Sequence, residues 1–62
     1  MDILTVLLIE DDDETRNSLE KFIKKEGFKV LSAQNGKTGL EIFKKEKPEI
    51  IITDLKILSR EK

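Results

Sequence analysis

The chain has 62 residues, enough for one small domain, and its 12 basic and 13 acidic side chains leave a net charge of −1. This charge gives no overall attraction to nucleic acid or to a membrane surface, so neither partner is expected. Because the chain contains no cysteine and no histidine, disulfides, thiolate zinc sites and His- or Cys-based catalysis are excluded. The longest apolar run, residues 6–9, is too short for a membrane span or a signal-peptide core, which predicts a cytoplasmic protein.

The first predicted elements are a buried strand and an amphipathic helix. The near-continuous apolar segment 3–9 is typical of a strand that is buried on both faces. A period of 3.6 residues then predicts a helix over about 13–26, with Asp11 or Asp12 as its cap and Gly27 as its stop. The side chains expected on its inward face are Thr15, Leu19, Phe22 and Ile23.

Two further strands and a second helix follow. Residues 28–33 predict a shorter and more polar strand, as expected at a sheet edge, and Asn35-Gly36 predicts a turn. A second helix is predicted over about 37–47, ended by a proline, and the β-branched run 50–53 predicts a third strand. The side chains expected to face inward from the second helix are Leu40, Ile42 and Phe43, and all three phenylalanines (Phe22, Phe28 and Phe43) are expected in the core.

This strand–helix–strand–helix–strand order predicts an α/β fold with two right-handed parallel crossovers. Strand order 1-2-3 would put both helices on one face and the polar second strand in the centre. Order 2-1-3 puts the apolar first strand in the centre, with one helix on each face. Because strands one and three look buried on both faces, the sequence favours 2-1-3, which is half of a doubly wound, flavodoxin-like sheet.

Order 2-1-3 brings carboxylates together at one edge of the sheet. Glu10, Asp11 and Asp12 leave the end of strand one, and Asp54 leaves the end of the neighbouring strand three. Oxygen ligands without histidine or cysteine favour Mg²⁺, which would also relieve the repulsion between these charges. Taken separately, the acidic run is better explained by helix capping and dipole compensation, and an aspartate at a strand end by a loop cap or solvation; their convergence favours the site.

Three motifs in this order resemble the receiver domain of two-component response regulators. They are the segment 6–12 followed by Arg16 and Leu19, the segment 33–36 followed by Gly39 and Leu40, and the segment 48–55. The resemblance covers residues 4–55. It implies a phosphoacceptor domain with a flavodoxin-like fold, not an independent enzyme, and a histidine kinase as the partner in the parent protein.

The resemblance also implies a role for each acidic residue. Asp54 would accept the phosphoryl group, Asp11 would bind Mg²⁺ directly, and Glu10 would hold the metal through water. The backbone carbonyl of Lys56 would complete the ligand set, and Asp12 is a weaker candidate ligand. A carboxylate is a known covalent acceptor of phosphoryl groups, and a metal neutralises the charge on the transferred oxygens.

The chain departs from the family pattern after Asp54. Ile57-Leu58-Ser59 replaces the family's Met-Pro-Gly, and only three of the family's five strands and two of its five helices are predicted. The family's later Ser/Thr, Lys and aromatic switch positions have no counterpart in these residues. The expectation is one truncated receiver domain over 1–62, the N-terminal half of the fold, with an irregular or repacked tail at 56–62 and impaired activity.

Two other functions stay open on the sequence. One is a self-associating structural half-fold, a dimer or higher oligomer through strand 50–54 and exposed helix faces, because that strand is an uncharged, β-branched edge. Such an assembly would also bury Leu55, Ile57 and Leu58 of the tail. The other is a protein that binds Mg²⁺ without phosphoryl transfer.

Overall fold

The computed structural model describes residues 3–53, which form three strands and two helices in the predicted order. The elements are β1 (Thr5–Ile9), α1 (Asp13–Lys25), β2 (Lys29–Ala33), α2 (Gly36–Glu46) and β3 (Ile50–Thr53). The predicted boundaries agree with these within two residues. No helix in this part of the chain is long and apolar enough to cross a membrane.

The strands form one parallel sheet in the order β2-β1-β3, so the predicted 2-1-3 topology is confirmed. The apolar β1 is in the centre, where Val6, Leu7 and Leu8 are each only 1% exposed. The more polar β2 is an edge strand, as predicted. The expectation that strand three is buried on both faces was wrong, since Ile51 and Ile52 are 49% and 38% exposed. Within residues 3–53, β3 pairs with β1 alone, so its other edge has no strand beside it in this part of the chain.

The main core lies between α1 and the sheet. Val6, Leu8 and Ile23 form a buried cluster, against which four partly buried side chains pack: Leu19, Phe28, Val30 and Ile50. The residues that α1 directs inward are therefore Leu19 and Ile23. Because the sheet has only three strands among the described residues, the surface that faces α1 is narrow. The buried Ile23 and the partly buried Leu19 are enough to cover it.

Several side chains predicted to face inward are exposed. Phe22 is 61% exposed, and Thr15 is exposed because its hydroxyl binds the N-cap of α1 instead of packing on the sheet. On α2, Leu40 is 53% and Phe43 40% exposed, whereas Ile42 is half-buried. Of the three phenylalanines expected in the core, only Phe28 packs against it, so this prediction was wrong for Phe22 and Phe43.

The two helices end differently. Helix α1 is followed by Gly27, whose φ of 102° lies in the left-handed region that favours glycine. Helix α2 is followed by Lys47 in the left-handed conformation (φ 50°, ψ 59°) and then by the buried Pro48. The turn predicted at Asn35-Gly36 is a bend at residues 34–35, between β2 and α2. Asn35 is also the N-cap of α2, and its Oδ1 accepts a 2.8 Å hydrogen bond from the Thr38 amide.

Candidate functional site

The candidate site is the edge of the sheet at which the parallel strands end. Ile9, the last residue of β1, is the register partner of Thr53, the last residue of β3. The amide of Glu10 donates to the carbonyl of Ala33 at the end of β2 (3.0 Å), so the ladder of β1 continues one residue past the strand. Parallel strands lie about 4.8 Å apart. Two of the predicted site residues, Asp54 and Lys56, lie outside the described residues.

Glu10 is half-buried and is held through both its side chain and its backbone. Its Oε2 accepts a hydrogen bond of 3.1 Å from the Asp12 amide, and its carbonyl oxygen accepts one of 2.9 Å from Nη1 of Arg16. A carboxylate has several lone pairs beyond the one used here, so the side chain retains acceptor capacity for a further partner. The loop that carries the predicted metal ligands is therefore ordered by its own hydrogen bonds.

Arg16 is the basic residue that secures this acidic loop. Its side chain is only 17% exposed, and its Nη2 is 2.6 Å from Oδ1 of Asp13 while its Nη1 reaches Glu10. The guanidinium thus places a positive charge against the acidic run 10–14. Sequence reasoning noted Arg16 only as part of a resemblance, although its spacing of three residues from Asp13 on a helix is a pairing signal.

Asp12 is the N-cap of α1. Its Oδ2 accepts hydrogen bonds from both the amide (2.8 Å) and the hydroxyl (2.7 Å) of Thr15. These two bonds, hydroxyl first, lower the pKa of the Asp12 carboxyl below its ordinary value, and the charge of Arg16 adds to them. Of the two predicted caps, Asp11 and Asp12, the structure therefore selects Asp12. The neighbouring Asp11 is exposed.

The acidic residues within 3–53 do not form a metal cage by themselves, because no three of their carboxylates gather closely enough to hold an ion. The capping bonds of Asp12 direct one of its oxygens to the helix, and Glu10 also bonds within the loop. A metal site at this edge would therefore need a ligand from beyond Thr53.

A second feature is an apolar groove of about 300 Å³ between α2 and β3, which sequence reasoning did not predict. It is called the α2–β3 groove below. Its lining includes Leu7, Ile9 and Ile51 of the sheet and Gly39, Leu40 and Phe43 of α2. The signal in the sequence was Gly39: because it has no side chain, α2 approaches Ile9 closely at this point, and the groove lies beside that contact.

Comparison with known proteins identifies the family. Residues 6–61 match the family model of the response regulator receiver domain. The chain belongs to this family. The match agrees with the parallel 2-1-3 sheet and with the acidic loop after β1, and receiver domains act in two-component signalling together with histidine kinases.

Three curated relatives illustrate the range of proteins that this receiver sequence resembles. It is 37% identical over 51 residues to the transcriptional regulatory protein AfsQ1 of Streptomyces coelicolor, covering 82% of this chain and 23% of that protein. It is 35% identical over 52 residues to sporulation initiation phosphotransferase F of Bacillus subtilis, covering 84% and 42%. It is 36% identical over 52 residues to a cyclic di-GMP phosphodiesterase of Thermotoga maritima, covering 84% and 14%. The chain thus spans less than half the length of each of these relatives.

Proposed function

We propose that this receiver domain accepts a phosphoryl group from a histidine kinase on the carboxylate of Asp54, in the cytoplasm, as a regulatory domain and not as an independent enzyme. The observation that carries the proposal is the parallel register of Ile9 with Thr53. Because each of these residues is the last of its strand, Glu10-Asp11 and Asp54 continue the chain from neighbouring strand ends. Membership in the receiver family supports the same assignment.

The donor atoms fit a magnesium ion. The acidic loop offers oxygen ligands, and the chain has no histidine or cysteine to favour zinc. Asp11 would bind the ion directly, Glu10 through water, and Asp54 and the backbone carbonyl of Lys56 would complete the ligands. Asp12 is the weaker candidate because it caps α1. When bound, Mg²⁺ would neutralise the negative charge on the transferred phosphoryl oxygens.

The transfer itself uses a carboxylate oxygen of Asp54 as the nucleophile. A new bond forms between this oxygen and phosphorus, while the bond from phosphorus to the kinase histidine nitrogen breaks and leaves its electron pair on that nitrogen. Arg16 contributes by holding the carbonyl of Glu10, which keeps the acidic loop in place. For residues 1–62 alone we expect slow transfer, because the family's later lysine and hydroxyl are not among them.

The test is phosphorylation of the chain by acetyl phosphate, with and without Mg²⁺, followed by mapping of the modified residue by mass spectrometry. We expect a Mg²⁺-dependent label on Asp54, formed more slowly than in a complete receiver domain. Asp54→Asn should remove the label and Asp11→Asn should weaken both Mg²⁺ binding and labelling. Glu14→Gln is the matched control, since Glu14 is an exposed acid in the first turn of α1. A label on another residue, or Mg²⁺ binding that Asp11→Asn leaves intact, would contradict the assignment.

A second candidate function, self-association without phosphoryl transfer, is favoured by β3, which has one neighbouring strand within residues 3–53. Ile51 and Ile52 of β3 are 49% and 38% exposed, and an uncharged β-branched edge is a template for pairing with another chain. Two copies that pair through β3 would form a closed twofold dimer. Sedimentation equilibrium decides this: we expect a species above 7.2 kDa that Ile52→Lys returns to monomer. A folded parent chain of 7.2 kDa at all concentrations would reject the dimer.

A further inference from the structure

Hydrogen bonds hold the chain on both sides of Asp11, the residue assigned as the direct Mg²⁺ ligand. Nη1 of Arg16 donates to the carbonyl oxygen of Glu10 (2.9 Å), and the amide of Asp12 donates to Oε2 of Glu10 (3.1 Å). The bonded carbonyl belongs to the peptide group before Asp11, and the bonded amide belongs to the peptide group after it. Because a peptide group is planar, each bond restrains the orientation of a whole group. Together they restrain the backbone dihedrals of Asp11 and therefore the direction of its side chain.

Arg16 contacts both neighbours of Asp11. Its guanidinium binds the carbonyl of Glu10, and its amide donates to the carbonyl of Asp12 (2.8 Å) in the first turn of α1. A second guanidinium nitrogen, Nη2, lies 2.6 Å from Oδ1 of Asp13. The side chain of Arg16 is only 17% exposed, so this fork is shielded from most of the solvent. A planar group that is bonded at two nitrogens and largely covered is a rigid support for the loop.

We infer that Arg16 is the positioning residue of the metal site: its guanidinium fixes the peptide group before Asp11 and thereby presents the Asp11 carboxylate to Mg²⁺. The inference rests on the proposed function, because it concerns the same site. It adds that geometry, and not charge, decides the role of Arg16. Two positive charges repel each other, so by charge alone a guanidinium beside the site would weaken the binding of a cation. The hydrogen bonds of Arg16 to the loop outweigh this repulsion.

Lysine in place of Arg16 separates geometry from charge. An ammonium group carries the same charge as a guanidinium, but it is a point charge without the planar fork. It is expected to pair with the charged carboxylate of Asp13 and to release the neutral carbonyl of Glu10. Arg16→Lys therefore leaves the charge of the site unchanged while it frees the peptide group before Asp11.

The first measurement needs no metal. NMR relaxation reports the order of the Asp11 and Asp12 amides, and in Arg16→Lys we expect their order parameters to fall from about 0.85 to below about 0.6, while the middle of α1 stays rigid. Lys24→Met is the control, because it breaks the 3.2 Å ion pair with Glu20 at the other end of the same helix and should leave the loop rigid. A rigid loop in Arg16→Lys, or a loss of order throughout α1, overturns the inference.

The second measurement is the Mg²⁺ affinity, determined by calorimetric titration. Arg16→Lys should bind the ion about tenfold more weakly than the parent chain, which is the loss expected when the support behind a metal ligand is removed. Lys24→Met should bind it as the parent chain does. Equal affinities of Arg16→Lys and the parent chain overturn the inference. A parent chain that binds no Mg²⁺ contradicts the proposed function instead, and the order of the loop in Arg16→Lys then decides the inference by itself.

The third measurement tests the other arm of the fork. Asp13→Ala and Glu14→Ala each remove one negative charge from the first turn of α1, but Asp13 is the residue bonded to Arg16. Asp13→Ala should therefore lower the Mg²⁺ affinity about two- to threefold more than Glu14→Ala, an effect of the size expected for a largely exposed ion pair. The order parameter of the Asp11 amide should fall in Asp13→Ala alone. Equal changes in both variants would show that charge acts without positioning, and would overturn the inference.

Discussion

Helix α1 packs on the sheet through Ile23 and Leu19, whereas α2 approaches its face of the sheet at Gly39, which has no side chain. Ile23 is 7% exposed and completes a closed cluster with Val6 and Leu8. A side chain added at Gly39 would clash with Ile9, since a Cβ there would lie 2.5 Å from Cδ1 of Ile9. Strand β1 is central to both contacts, but only one of them leaves a groove.

The buried strand β1 therefore lies between two different faces of the sheet: its helix closes the α1 face, and a groove stays open on the α2 face. On the α1 face a large side chain of the helix fills the space over the sheet. On the α2 face glycine lets the helix approach closely at one point, and the space between α2 and β3 remains open. The α1 face of the sheet is therefore closed by its helix, whereas the α2 face combines the buried Leu7 and Ala33 with the open α2–β3 groove.

The largest expected effect tests the closed face. Leu8→Ala should destabilise the fold by about 3 kcal/mol, because it removes a fully buried side chain and leaves a cavity. A chain of this size has a total stability of only about 3–9 kcal/mol, so the folded population should fall sharply. Urea unfolding followed by far-ultraviolet circular dichroism measures the change. Leu40→Ala, at a position 53% exposed, is the control and should change the free energy of unfolding by less than about 0.5 kcal/mol. Equal losses in the two variants would contradict the difference between the faces.

The next effect tests the close approach of α2. Gly39→Ala should cost up to about 2 kcal/mol, because the new Cβ would lie 2.5 and 2.9 Å from Cδ1 and Cγ1 of Ile9. This is an overpacking cost of about 1–3 kcal/mol less the roughly 1 kcal/mol that alanine gains over glycine inside a helix. Gly36→Ala is the matched control on the same helix, since a Cβ there meets nothing within 4 Å. Ile9→Val removes the nearest clashing atom and should recover part of the loss when combined with Gly39→Ala. A loss in Gly36→Ala as large as in Gly39→Ala would show that the helix itself, and not its contact with Ile9, sets the cost.

Much of the fold follows from the sequence because the decisive patterns are local. The continuous apolar run of β1, the periodicity of α1 and the polar character of β2 were enough to predict the 2-1-3 order. Periodicity identifies which side chains share a helix face, but it does not show how wide the opposite surface is. Phe22 and Phe43 were therefore predicted as core although the narrow sheet leaves them exposed.

The candidate site was predicted in part for a related reason. Which strand ends meet is fixed by topology, so the pairing of Ile9 with Thr53 at the ends of β1 and β3 was predictable. Which acid caps α1 depends on where the helix begins to within one residue, and the sequence left Asp11 and Asp12 as alternatives. The bond from Arg16 to the carbonyl of Glu10 was not predicted, because it joins a side chain to a backbone atom six residues away.

A smaller effect compares the ends of the two helices. Gly27 follows α1 in a left-handed conformation that suits glycine, whereas Lys47 adopts a similar region after α2 with a side chain that disfavours it. Lys47→Gly should therefore raise the free energy of unfolding by up to about 1 kcal/mol, as measured by thermal unfolding. Lys45→Gly, in the last turn of α2, is the control. It should lower the free energy of unfolding by about 0.5–1 kcal/mol, because glycine disfavours the helical conformation. If both variants lose stability, the conformation at Lys47 carries no strain that glycine relieves.

The smallest effect compares the two N-caps, one charged and one neutral. Asp12 caps α1 with a carboxylate whose pKa is lowered from 3.8, chiefly by the Thr15 hydroxyl, whereas Asn35 caps α2 with an amide that does not titrate. A lowered folded-state pKa means that the stabilising contribution of Asp12 is fully present above pH 3.8 and is lost as the pH falls through the folded-state pKa.

In an NMR titration the Thr15 amide should therefore shift with a midpoint below 3.8, while the Thr38 amide, which binds Asn35, should not follow it. Asp12→Asn keeps a capping oxygen and should abolish the Thr15 titration. A Thr15 midpoint at or above 3.8, or equal shifts of both amides, would show that the two caps do not differ in this way.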